Sequence, residues 1–260
     1  MNVAALHRPS SLRSAVATPH RGVVEAATLV CLYGLYEVVR GGGDATVETA
    51  RRHTGAIVAL EQHLHLYGER EIQQAVHALP AVPVALGAAY ILLHFGGTLG
   101  FVVWTYRRRR DRFALVRNTL IAATGIALAV YVLYPAAPPR LANLGFADTV
   151  STGAHVNLSS NLLGSLYNPF AAVPSLHFGY ALIAGVGVAT LARKPAVRAL
   201  GAVYPLVMLF VIVATGNHFF FDALAGAVVV AAAAALARAF TADASAQARR
   251  APAGSAVAPC

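Results

Sequence analysis

The stretch FAAVPSLHFGYALIAGVGVATLA, residues 170–192, carries one histidine, His177, and no charged residue in an otherwise apolar run. It lacks the strict apolar–polar alternation of a half-buried strand. At roughly 20 residues, such a run is long enough to cross a bilayer as a helix. The composition of the whole chain agrees. Of 260 residues, 57% are hydrophobic and only 12% are charged, and the mean hydropathy is +0.60. A soluble domain carries about 25% charged residues, so too little charge is present to cover a globular surface. Disorder is excluded by the same apolar content. A disulfide scaffold is excluded because Cys31 and Cys260 are the only cysteines.

Working outward, six apolar runs are candidates for spans: residues 23–39, 81–104, 113–134, 171–192, 199–216 and 219–237. None alternates as the strands of a membrane barrel do. The expected fold is therefore all-α, a polytopic bundle of six transmembrane helices over residues 23–238. Residues 1–22 and 239–260 are expected to be disordered cytoplasmic tails. The acid-free first 22 residues lack the short apolar core and cleavage site of a secretory signal.

With six spans, 15 of the 20 Lys and Arg residues fall on one side, including Arg107–Arg110, Arg112, Arg193, Lys194, Arg198 and Arg238. Arg40, Arg51, Arg52, Arg70 and Arg140 fall on the other. The positive-inside rule places the basic side and both termini in the cytoplasm of a plasma-membrane protein. It also accounts for the net charge of +9 without a nucleic-acid partner. In the outer segment 40–80, Ile57, Leu60 and Leu64, and again Ile72, Val76 and Leu79, recur at helical spacing. This predicts one or two amphipathic helices that lie on the outer membrane surface or pack on the bundle. Glu61, Glu69, Arg70 and Glu71 fall between these apolar positions.

Ionisable groups inside spans are costly and point to function. His177 lies just inside the fourth span and Asp222 just inside the sixth, with His218 four residues before Asp222. Such a spacing stacks two side chains on one helix face. Arg140, in the segment YPAAPPR at residues 134–140, falls at the same membrane level. A carboxylate-held histidine is a nucleophile or base with a fixed tautomer. A second histidine serves as acid and then base. A guanidinium grips two phosphate oxygens. Together they fit phosphoryl transfer through a phosphohistidine.

Three segments resemble signatures of the type 2 phosphatidic acid phosphatase (PAP2) superfamily. They are Pro174-Ser175-Leu176-His177, Gly216-Asn217-His218 followed by Asp222, and the Tyr134–Arg140 segment. The wider strings YNPFAAVPSLH (167–177) and TGNH (215–218) are similar to its inositol phosphorylceramide synthase-like branch. The resemblance extends over roughly residues 55–235. It implies that His218 is the nucleophile, Asp222 its orienting partner, and His177 the acid that protonates the leaving oxygen. Arg140, Ser175 and backbone amides would hold the phosphate, with Tyr134, Asn168 and Asn217 as possible support. The usual first signature has a lysine where this chain has Leu133, and the usual third an arginine where it has Ile212. Phosphate charge therefore falls mainly on Arg140.

The resemblance implies a lipid phosphate or diphosphate as substrate, at the outer face. The group passes to water or to another alcohol, the latter as in transfer of a phospho-alcohol headgroup between lipids. A membrane terpene cyclase or prenyl diphosphate-processing enzyme is an alternative on the same scaffold. A transporter would distribute its charges across the bilayer, whereas these sit at one level. No metal ligand set and no cofactor are expected. His94, in the second span, reads as hydrogen-bonded to a neighbouring helix. His53, His63, His65, His77 and His155 read as exposed loop residues.

Overall fold

The computed structural model describes residues 47–150 and 169–250, with side chains to residue 241, together with Val23, Ala27 and Gly34. The chain divides into two units, Met1–Val38 and Val39–Cys260. In the first, the three described positions are helical. The expected span at 23–39 otherwise lies outside the described residues, as do the 1–22 tail and Asn168.

The second unit is helical, and among its described residues there is no strand. Helices α1 (Val47–His63) and α2 (Glu69–His77) precede the apolar ones. Helix α3 (Val82–Arg108) contains a π-helical turn at Leu92–Gly97. It is followed by α4 (Arg110–Leu133), α5 (Leu176–Leu191), α6 (Pro195–Ala214) and α7 (Phe220–Arg250). Among the described residues, four helices are long and apolar enough to cross a membrane: Val82–Arg108, Arg110–Leu133, Pro195–Ala214 and Phe220–Thr241. Leu176–Leu191 is equally apolar but shorter. It starts five residues later than the sequence suggests, because Pro174 cannot donate within a helix and Ser175 caps it, its Oγ accepting the Phe178 N–H at 3.3 Å. Helix α7 runs on to Arg250, past the point at Arg238 where a tail was expected. Its Ala-rich sequence has high helix propensity.

Inside lipid there is no water to drive apolar residues together, so contacts depend on close approach of small residues. Helices α5 and α6 meet at Gly185 and Gly201, where a Cβ on Gly185 would lie 2.6 Å from the Gly201 carbonyl oxygen. Hydroxyls in the spans bond back to their own helix: Thr105 to Phe101 O, Thr119 to Leu115 O and Thr124 to Leu120 O. Large apolar side chains such as Leu92, Phe95, Leu200 and Leu224 stay exposed, as expected of a surface whose solvent is lipid.

Alternating helix directions set up two unlike ends. At one, the basic turns after α3 and after α5 meet, with Arg109 Nη2 donating to the Leu191 carbonyl. At the other, Ala136 pairs with Ala171, and α1 and α2 pack over the segments that lead into α5 and α7. The buried face of α1 is Ala50, Thr54, Ile57, Val58 and Glu61, and that of α2 is Glu69, Gln73 and Val76. Of the expected apolar faces, only Ile57 and Val76 are fully buried, while Leu60, Leu64 and Leu79 are exposed. The helices turn polar residues inward because their partners are the backbone ends of other helices. Phe219, fully buried beneath them with Ile57, Val58, Ala136 and Val173, is an apolar anchor contributing on the order of 2 kcal/mol.

Candidate active site

Helix α6 ends at Ala214, and two residues on stands Gly216, whose φ of +69° suits only glycine without strain. A Cβ there would also lie 2.5 Å from Gln73 Nε2. The chain then reverses through Asn217 and His218 and enters α7 at Phe220. His218 thus stands before the helix, not on it, which corrects the expectation of two side chains stacked on one helix face. Asp222 reaches back from the first turn. Its Oδ2 accepts the Phe219 N–H at 2.9 Å and lies 3.1 Å from His218 Nδ1. This is the reciprocal geometry of an N-terminal capping carboxylate, used here to hold a histidine. His218 is 4% and Asp222 0% exposed.

The far nitrogen of His218, Nε2, lies 3.4 Å from His177 Nδ1. If Asp222 accepts from Nδ1, then Nε2 of His218 carries the lone pair and accepts from His177. His177 sits in the first turn of α5. That turn is tied to α7 by the Ser175 N–H, which donates to the Asp222 carbonyl at 2.9 Å. The contact requires Gly226, where a Cβ would come within 2.5 Å of the Ser175 carbonyl oxygen. Tyr131 closes the same corner by donating to the Pro174 carbonyl at 2.8 Å.

Arg140, in a 3₁₀ turn at Pro139–Leu141, joins the site through its Nε, which donates to Asn217 Oδ1 at 2.9 Å. Its backbone N–H donates to the Gly216 carbonyl at 3.0 Å. One guanidinium nitrogen pairs with Asp148 Oδ2 at 2.9 Å, and the arginine side chain is 3% exposed. Gln73 from α2 fixes the Asp148 loop by donating to the Ala147 carbonyl and accepting its N–H, at 3.0 and 2.9 Å.

Two further carboxylates arrive from α1 and α2. Glu69 Oε1 accepts the Phe220 N–H at 2.9 Å, and Glu61 Oε1 accepts the Phe221 N–H at 2.7 Å. With Asp222 on Phe219, three carboxylates take three successive N–H groups at the start of α7. They satisfy donors that a helix leaves open and face the positive end of its dipole. Burial pushes the Glu61 carboxyl up to about 8; the Phe221 N–H opposes the shift and neighbouring Glu69 adds to it.

The remaining expected residues divide. Ser175 is fully buried as the α5 cap. Asn217 holds Arg140, and its Nδ2 donates to Thr215 Oγ1 at 2.9 Å. Tyr134 is committed to His53, stacked at 4.1 Å with its hydroxyl donating to the His53 carbonyl; burial raises its hydroxyl pKa. His53 is itself no free loop residue, since its Nδ1 lies 2.8 Å from the Pro135 carbonyl, and His77 Nε2 lies 2.9 Å from Thr149 Oγ1. His155 lies outside the described residues. His94 departs furthest from expectation. Its Nδ1 is buried with no hydrogen-bond partner among the described residues, and its ring centroid lies 4.0 Å from that of His177. Among the described residues, no three His, Cys, Asp or Glu side chains converge closely enough to hold a metal ion.

The family model of the PAP2 superfamily matches residues 55–236, from the middle of α1 to the middle of α7. The chain belongs to the PAP2 superfamily. No curated protein and no solved structure matches it. PAP2 superfamily members are phosphatases or phosphotransferases, and the matched region contains every side chain described above from Ile57 onward. In this PAP2 chain the histidines, the carboxylate and the arginine gather at one end of an apolar bundle. An anion held there would meet His218 and His177 as the α5 N-terminus offers N–H groups.

Proposed function

We propose that this PAP2 protein is a lipid phosphatase or phosphotransferase that works through a phosphohistidine on His218. The observation that carries the reading is the chain of contacts from Asp222 through His218 to His177. The His218 Nε2 lone pair attacks phosphorus, and the bond to the leaving oxygen breaks. Protonated His177 gives that oxygen its proton. Water or an alcohol then attacks the phosphohistidine, passing its proton to His177 as the N–P bond breaks. The rings must part to admit the phosphoryl group between them. Such active-site contacts commonly rearrange as substrate binds.

Arg140 supplies positive charge for the phosphate, and the Ser175 hydroxyl and the α5 N-terminus supply donors. The chemistry needs no metal ion. Residues 47–80 and the histidine end face outward, because the basic turns lie at the opposite end. An open groove lined by Ala56, Ile57, Leu60, Tyr134, Val173, Phe221 and Ala225 is wholly apolar apart from one phenol. It lies beside Asp222 and Ser175 in sequence, and suits a lipid chain.

Transfer to inositol, as in the inositol phosphorylceramide synthase-like branch, and hydrolysis differ only in the second nucleophile. A panel of lipid phosphates and diphosphates assayed with and without inositol distinguishes them when released phosphate and new lipid are both measured. Phosphate release from lipid phosphates is expected. Failure to turn over any member of the panel contradicts the reading.

A further inference from the structure

Four rings from two helices interleave beside the catalytic pair. Tyr90 stacks on His177 at 4.4 Å and 25°. His177 in turn lies 4.0 Å from His94 at 36°, and His94 stacks on Tyr180 at 5.7 Å and 5°. Tyr90 and His94 are one turn apart on α3, and His177 and Tyr180 are one turn apart on α5. The rungs therefore alternate between the helices, with His177 between Tyr90 and His94. Tyr180 is anchored by a 2.6 Å contact between its hydroxyl and Thr124 Oγ1 on α4.

The register of His94 is set by an uncommon device. It lies in the π-helical turn Leu92–Gly97, a distortion frequent at functional sites. Tyr204 of α6 donates to the Leu93 carbonyl in that turn at 2.7 Å. The Tyr204 hydroxyl occupies the space a side chain at position 97 would need, with its oxygen 2.1 Å from where a Cβ would stand. Two separate features, the widened turn and the glycine, thus serve to place this one ring.

A histidine kept in a membrane span for architecture spends its ring nitrogens on hydrogen bonds to neighbouring helices. His94 leaves its buried Nδ1 without one among the described residues and commits its ring face to His177. We propose that His94 is a positioning residue: its ring, with Tyr90 on the neighbouring rung, fixes the ring plane of His177 so that Nδ1 points at the reacting centre. This rests on the phosphohistidine reading above. His177 acts only if its proton lies on the line to the leaving oxygen, and a displacement of about 1 Å costs on the order of 100-fold.

The test replaces the ring by an aliphatic side chain of similar bulk, His94→Leu, and by a ring without nitrogens, His94→Phe. Both are apolar and suited to a span, and thermal unfolding in detergent reports on their folding. On a lipid phosphate, His94→Leu should lower kcat about 10- to 100-fold with little change in KM, and His94→Phe should recover most of that loss. On a nitrophenyl phosphate ester, whose leaving group needs little protonation, His94→Leu should be nearly silent. Added to His177→Ala, it should cost nothing further, because it acts through His177. Equal losses on both esters, a full additional loss in the double variant, or no recovery in His94→Phe would each overturn the proposal. If His94→Leu does not fold, the same comparison of His94→Phe with the wild type and with Tyr90→Leu decides it, recovery being expected only where a ring remains against His177. A wild type inactive on every phosphate contradicts the phosphohistidine reading itself, and His94 then has no acid to position.

Discussion

His218 Nε2 and His177 Nδ1 face each other across 3.4 Å, with Asp222 Oδ2 3.1 Å behind His218. The three groups come from two helix N-termini, and with His218 Nδ1 donating to Asp222 their hydrogen bonds run in one direction, toward the carboxylate. Such a line leaves one nitrogen able to attack and one able to give a proton, which is the division of labour phosphoryl transfer requires.

Asp222→Asn keeps a side chain of the same shape and an oxygen that can still accept the Phe219 N–H. The fold should therefore survive, while the charge that stabilises the His218 cation is lost. A fall in kcat of about 10²–10⁴-fold is expected, by comparison with other His–carboxylate pairs. Thermal unfolding measured beside turnover checks it: an unchanged midpoint with unchanged kcat would show that Asp222 only caps α7.

Glu61 makes stability depend on pH. Its folded-state carboxyl is raised from 4.5 to about 8 by burial, so between these values the folded protein holds a proton that the unfolded chain has released. Stability from this group is complete below about pH 4.5 and declines as pH rises toward 8. Glu61→Gln mimics the protonated acid and keeps an acceptor for the Phe221 N–H. Its unfolding midpoint should therefore vary less between pH 5 and 8 than that of the wild type. An identical pH dependence in both proteins would contradict this origin.

Four of the six expected spans, and the approach of His218 to Asp222, were legible in the sequence because they are local: an apolar run is its own signal, and four residues separate the pair. Glu61 and Glu69 were not, since their partners lie 160 and 151 residues away. Nor could the periodicity of Leu60 and Leu64 reveal that α1 turns Thr54 and Glu61 inward instead. The placement of His94 was out of reach for a related reason. It lies in a widened turn that Tyr204 supports from another helix, with Gly97 making room for it, and no spacing rule anticipates that register. The start of α5 moved to Leu176 because Pro174 and the Ser175 cap outweigh the apolar residues before them.

The direction of the bundle is open to labelling. In a background lacking Cys31 and Cys260, Leu66→Cys, at the histidine end, should react with an impermeant maleimide from outside intact cells. Arg108→Cys, at the basic end, should react only after permeabilisation. The reverse pattern would turn the site toward the cytoplasm.

Activity should persist in excess EDTA. The acids of the site are engaged, Glu61, Glu69 and Asp222 each accepting a backbone N–H at the start of α7, and Arg140 supplies positive charge. Loss of turnover that Mg²⁺ restores would reject metal-independent transfer.

The most direct measurement is to trap the covalent intermediate. Wild-type protein given a substrate labelled in its phosphate and quenched within a turnover should carry label that is stable to alkali, released by acid, and located by peptide mapping at His218. His218→Ala should carry none and should turn over no substrate. Label at His177, or label that persists in His218→Ala, would contradict the assignment of the nucleophile.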